Sequence, residues 1–118
     1  LKLETDDSRL RQVLINLLVN AVKFTKEGSV VLKLEKANDG TALFSVADTG
    51  CGIPKEKQKL IFERFEKLNE FVQGTGLGLS ICRLIVTFVG GKIWIDGDYT
   101  QGARFCFTHP LKYKSTLL

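Results

Sequence analysis

Apolar residues recur every three or four positions from Leu10 to Phe24, and this spacing predicts a long helix over residues 9–24. Asp6, Asp7 and Ser8 supply side-chain oxygens that cap the free amides at its start, and Glu27-Gly28 ends it. The pattern then changes to a period of two. "VVLKLEK" over 30–36 predicts a strand, Asn38-Asp39-Gly40 a hairpin turn, and 43–48 the returning strand. A glycine loop follows over 49–54, then helical spacing over 55–65 through Leu60, Ile61 and Phe65. Residues 66–75 are polar and aperiodic. Residues 76–89 predict a second long helix, apolar on most faces, broken by Gly90-Gly91. Residues 92–96 and 103–108 predict two strands joined by a Gly-rich turn. The alternation of residues 1–5 predicts an edge strand, and "KYKSTLL" over 112–118 a linker. The order β-α-β-β-α-loop-α-β-β predicts an α+β protein, a two-layer α/β sandwich whose mixed sheet carries helices on one face.

Polar residues interrupt the first long helix at an unexpected place. At 100° per residue, Leu10, Val13, Leu14, Leu17, Leu18 and Ala21 share a broad face, and Ile15, Val19 and Val22 continue the apolar surface round the back. Asn16, Asn20 and Lys23 fall within about 60° of one another, with Gln12 one turn earlier. The expectation is a helix buried nearly all round with one narrow polar seam. An unpartnered buried amide costs about 1–3 kcal/mol, so the seam requires partners. Amide oxygens suit Mg2+ and a lysine suits phosphate; a stripe facing solvent needs neither, and the helix alone leaves both readings open.

Two glycine segments bear on the choice. "DTGCGIP" places Asp48 at a strand end before two glycines that permit tight turns and close backbone approach. Ionised, Asp48 accepts hydrogen bonds only and can hold an exocyclic amine, or it serves as a turn residue. "GTGLGLS" puts Gly74, Gly76 and Gly78 at the start of a helix, where amide groups bind an anion; a hinge has the same composition. It lacks the preceding strand of a dinucleotide fingerprint and the GK[ST] of a P-loop.

The conjunction of D-xx-R, Q, N-xxx-NAxKFT, DTGxGIP, FERF and GTGLGLS in one chain resembles the catalytic and ATP-binding domain of sensor histidine kinases, in the superfamily of GHKL ATPases with the Bergerat fold. The resemblance runs from about Asp6 to Leu111 and implies a histidine kinase domain over 1–111. It implies that Asn20 ligates Mg2+, that Asn16 binds the metal or its waters, that Lys23 touches phosphate, and that Phe24 flanks the nucleotide. By the same resemblance Asp48 holds the adenine amino group, with Gly50, Gly52 and Ile53 beside it. Gly74, Thr75, Gly76, Leu77 and Gly78 line the phosphates. Phe62 and Phe65 match the F box, with Arg64 between them, and these phenylalanines anchor a lid over 66–73. ATP and Mg2+ are the implied cofactors. The implied partners are a histidine-bearing dimerisation domain of the same parent protein and a response regulator.

Departures qualify that resemblance. Gln73 replaces a further glycine of many relatives, Lys67 is the only cation of a short lid, and Cys51 sits inside the first glycine loop. Asn16 stands where gyrase-like relatives carry a water-activating glutamate, and an amide is no general base. Poor hydrolysis is therefore expected, with transfer resting on positioning and charge. His109, the only histidine, lacks the acceptor's context and is expected to be a surface or strand-end residue. Trp94 and the apolar residues of the last strands are expected in the core. A serine kinase or ATPase of the same superfamily, and a degenerate interaction module, are the alternatives.

Composition adds bounds. The 118 residues suit one domain, and the 44% hydrophobic and 25% charged fractions suit a water-exposed fold. No apolar run approaches the ~18 residues of a membrane span, so no membrane contact by this domain is expected. The net charge of +4 is spread along the chain and does not indicate nucleic-acid binding. Cys51, Cys82 and Cys106 are odd in number and widely spaced, which indicates neither a disulfide framework nor a zinc site. A cytoplasmic domain, monomeric when isolated and cut from a longer protein, is the expectation; membrane anchoring of that protein is plausible only from the family.

Overall fold

A computed structural model describes residues 7–37, 40–58, 61 and 75–110. The expected strand over 1–5, the turn residues 38 and 39, the end of the third helical segment with Phe62, Arg64 and Phe65, the lid, Gly74 and the tail lie outside these residues. Within them the chain forms α1 (Asp7–Phe24), β1 (Val30–Lys36), β2 (Thr41–Asp48), α2 (Lys55–Gln58), α3 (Thr75–Phe88), β3 (Ile93–Ile95) and β4 (Arg104–Pro110). The strands form one sheet in the order β1-β2-β4-β3. The three described pairings are antiparallel, so the parallel pairing of a mixed sheet is not among them.

Register decides which side chains meet. Across β2 and β4 the partners are Ala42 with His109, Phe44 with Phe107 and Val46 with Phe105. Paired residues point to one face, and all six are buried. The rings of Phe44 and Phe107 stack at 4.7 Å. Onto this face α1 brings Val13, Leu17, Ala21 and Phe24, and α3 brings Leu79, Cys82, Ile85 and Val86. Ile93 and Ile95 extend it at the sheet edge. The two long helices share one face of the sheet, as the α/β sandwich requires.

Three expectations are corrected. The first helix is not buried nearly all round: Ile15, Val19 and Val22 are 50%, 45% and 64% exposed. One sheet and one neighbouring helix cover two sides of α1, and the side turned from the sheet is left to solvent. Trp94 is not core but 40% exposed. Alternation along β3 turns Ile93 and Ile95 inward and Trp94 to the opposite face, in register with Cys106. His109 closes the last strand but is no surface residue. It shares the inward face with Phe105 and Phe107, and its Nδ1 donates to the Pro110 carbonyl at 2.6 Å.

Candidate nucleotide site

The relative direction of the two long helices builds the site. The Cys82 thiol approaches the Val13 carbonyl at 3.8 Å and hydrogen-bonds the Asn16 side chain. Further along α3, the Phe88 ring lies 4.4 Å beneath the Arg9 guanidinium. Higher numbers on α3 thus meet lower numbers on α1, and the helices are antiparallel. Thr75, Gly76, Leu77 and Gly78 precede Cys82 by four to seven residues; Asn20 and Lys23 follow Asn16 by four and seven. At equal rise per residue, the opening turn of α3 stands level with Asn20 and Lys23. Its first amides have no partner inside the helix. The structure thereby sets the seam of α1 level with residues 75–78, the described part of the second glycine segment.

Along that seam the residues differ. Asn20 is buried, and its Nδ2 has no hydrogen-bond partner among the described residues. Asn16 is half-buried and engaged with Cys82. Lys23 is exposed, and Phe24 is buried in the core. A cavity of about 540 Å3 opens where α1 ends. Lys23 and Phe24 line it with Lys26 and Glu27 of the following turn, and Thr49, Gly50 and Cys51 close the other wall. Asn20, Asp48 and Ile53 are not on this lining.

Asp48 ends β2 and is buried. Its Oδ1 accepts two backbone N–H groups, Gly50 at 2.9 Å and Ala103 at 3.1 Å. Its own N–H donates to the Ala103 carbonyl at 2.8 Å, and the Tyr99 hydroxyl donates to its main-chain oxygen at 2.7 Å. The carboxylate is thus fixed through one oxygen, and no described residue claims the other. Glycine is required on both sides of it. A Cβ on Gly50 would lie 2.3 Å from the Phe24 carbonyl oxygen, and one on Gly102 would lie 2.6 Å from Asp48 Oδ1. Gly52 takes φ +73, and Ile53 sits in the core with its carbonyl held by Gln58 at 3.0 Å. Tyr99 and Gly102 were not legible as site residues, because the turn over 96–103 carries no motif. Asp96 anchors that turn: its carboxylate holds Arg104 at 2.7 Å, and this hydrogen bond keeps the carboxyl below its ordinary range.

Cys51 is exposed, and Cys82 and Cys106 are buried free thiols. Burial pushes Cys82 up from 9.0 to about 11, partly opposed by the Asn16 hydrogen bond. Below pH 9 the thiol is protonated whether the chain is folded or not. Above pH 9 the unfolded chain releases the proton first, so stability falls until the folded thiol also ionises near 11. The loss expected from this group is about 2–3 kcal/mol. Urea unfolding at pH 8 and pH 10.5, compared with a Cys82→Ala variant, isolates it; equal slopes in the two chains would remove Cys82 as the cause. Among the described residues no three His, Cys, Asp or Glu gather as a metal cluster, and no helix is long and apolar enough to cross a membrane.

A two-layer sandwich that aligns two asparagines with a glycine-opened helix, and fixes an aspartate at a strand end, defines a nucleotide-binding domain. The chain belongs to the family of histidine kinase-, DNA gyrase B- and HSP90-like ATPases, whose match spans residues 5–113. It is similar to the adaptive-response sensory kinase SasA of Gloeothece citriformis, 43% identical over 109 residues, covering 90% of this chain and 28% of that protein. The circadian input-output histidine kinase CikA of Synechococcus elongatus is 45% identical over 105 residues, 85% of this chain and 14% of that protein. The chain therefore spans less than a third of these relatives. Among solved structures, the nucleotide-free catalytic domain of histidine kinase ThkA superposes with a TM-score of 0.82 at 39% identity, over 93% of this chain and 71% of that one. Full-length ShkA in complex with AMPPNP gives 0.81 at 39% identity, over 97% of this chain and 24% of that one. The fold, the family and the relatives together make this an ATP-binding catalytic domain of the sensor histidine kinase type.

Proposed function

We propose that this chain holds Mg-ATP and presents its γ-phosphate to a histidine on a separate dimerisation domain, from which a response regulator takes the phosphoryl group. The carrying observation is the antiparallel alignment that sets the amides of the α3 start opposite Asn20 and Lys23. In this reading the first turn of α3 and Lys23 bind the phosphates, Asp48 accepts from the adenine amino group through its free oxygen, and Phe24 flanks the base with Gly50, Gly52 and Ile53 behind it. The AMPPNP in the similar ShkA structure supports the ATP reading. The match over 5–113 supports one domain over nearly all of residues 1–111, and 112–118 are read as a linker. The domain's place is the cytoplasm, the compartment of ATP and of free thiols.

The residues fit magnesium of a particular kind. Among the described residues no carboxylate cluster offers a cage for a bare ion. The unpartnered Asn20 Nδ2 is a donor that suits a phosphate or water oxygen, which leaves the Oδ1 of the same amide for an ion that arrives with its phosphates and keeps several waters. Asn20 would supply the direct oxygen. Asn16, tied to Cys82, would act on the metal's waters. The chemistry magnesium would supply there is neutralisation of phosphate charge. Asn16 has no basic group with which to activate water, so hydrolysis is slow and the nucleotide waits for its acceptor.

Incubation with γ-labelled ATP tests this. The chain alone is expected to show no acid-labile label, and a separate fragment bearing the acceptor histidine of the same parent protein is expected to gain it when mixed with the chain. Label on His109 of the chain alone, or on a serine of the acceptor fragment, would overturn the proposal.

A further inference from the structure

Four hydrogen bonds converge on Asp48, and three are backbone contacts of its own loop and of Ala103. The fourth is the Tyr99 hydroxyl on the Asp48 carbonyl oxygen, across 51 positions of sequence. That oxygen belongs to the peptide plane where the chain leaves β2 and enters the first glycine loop. A hydroxyl at 2.7 Å fixes the plane, and with it the direction of the carboxylate one Cα away. The donor is itself held. Tyr99 lies in a turn whose N–H at Tyr99 donates to the Asp96 carbonyl, while the Asp96 carboxylate takes the Asp98 N–H at 3.0 Å and Arg104 at 2.7 Å. Gly102 admits the close approach, since a Cβ there would lie 2.2 Å from the Asp48 main-chain oxygen.

We propose that Tyr99 is a positioning residue that sets selectivity for a 6-amino purine by fixing the peptide plane of Asp48. The inference rests on the reading of Asp48 as the contact to the adenine amino group. Tyr99 itself touches no part of the base. Its effect passes through the angle at which the free carboxylate oxygen meets an N–H donor, and hydrogen-bond strength falls steeply with misalignment. A nucleotide with a 6-oxo group offers no donor there, so its affinity does not depend on that angle.

The test is calorimetric titration of this chain with ATP and with inosine triphosphate, for the unmodified chain, Tyr99→Phe and Asp48→Asn. Phenylalanine keeps the half-buried ring and removes only the hydroxyl. The expected result is ATP binding weaker by about fivefold, the worth of one ordinary hydrogen bond, with inosine triphosphate changed less than about twofold. The ratio of the two affinities then falls, a change that general loosening of the fold would not produce. Equal weakening of both nucleotides by Tyr99→Phe, with the ratio collapsing only in Asp48→Asn, would sink the role of Tyr99 and leave Asp48 standing. A ratio that Asp48→Asn leaves unchanged would remove both.

Discussion

Asp48→Asn is expected to reverse the preference of the site, weakening ATP by about 100-fold and improving inosine triphosphate relative to it. The reason lies in which oxygen is already committed. Oδ1 accepts from Gly50 and Ala103, and only an oxygen can do so. In the variant the amide carbonyl must keep that place, which turns the NH2 group to where the free carboxylate oxygen stood. A donor then faces the amino group of adenine, and two donors repel. Against the 6-oxo group of hypoxanthine the same donor is welcome. The lost bond is charge-assisted, worth about 1.5–3 kcal/mol, and an unpaired donor adds its desolvation cost. Because both backbone N–H groups remain satisfied, the variant stays folded. Asp48→Ala strands them and is expected to cost about 2–4 kcal/mol of stability as well. Competition between the two nucleotides, with urea unfolding of each variant, separates these effects. An unchanged preference in Asp48→Asn would show that the base is not read at this residue.

Much of the fold was legible because period and turn chemistry are local. The long helices, the strand over 30–36 and the hairpin at Gly40 fell where apolar spacing put them. What could not be read was what covers what. Ile15, Val19 and Val22 have the spacing of a buried stripe, but whether a layer lies over them depends on how many layers the domain has. His109 was legible in principle: Phe105, Phe107 and His109 alternate, and the first two fix the inward face. Trp94 fails by the same rule in reverse, since size suggested the core while its parity with Ile93 and Ile95 assigned it outward. Within the site, Asn20, Asp48 and the glycines announce themselves by residue type at close spacing. Tyr99 and Gly102 act through the Asp48 backbone from more than fifty positions away. No pattern in a single sequence links a turn to the strand end it grips.

The same contrast between local type and three-dimensional cost makes Asn20 informative. A buried side-chain amide whose Nδ2 has no partner among the described residues holds an unfavourable place, at about 1–3 kcal/mol. Alanine removes that cost and leaves a small void beside α1. Asn20→Ala is therefore expected to fold with a stability within about 1 kcal/mol of the unmodified chain, as residues kept for binding at the expense of stability do. Its nucleotide binding is expected to change in a different way. Titration with an ATP analogue should lose most of the gain that Mg2+ confers, about 10–100-fold, while the smaller metal-free affinity persists, since the amides of α3 and Asp48 remain. Stability kept and magnesium dependence lost are separate readouts, and only a ligand-directed residue gives both. A variant that loses several kcal/mol, yet retains full magnesium dependence once folded, would make Asn20 a packing residue and return the metal to other oxygens.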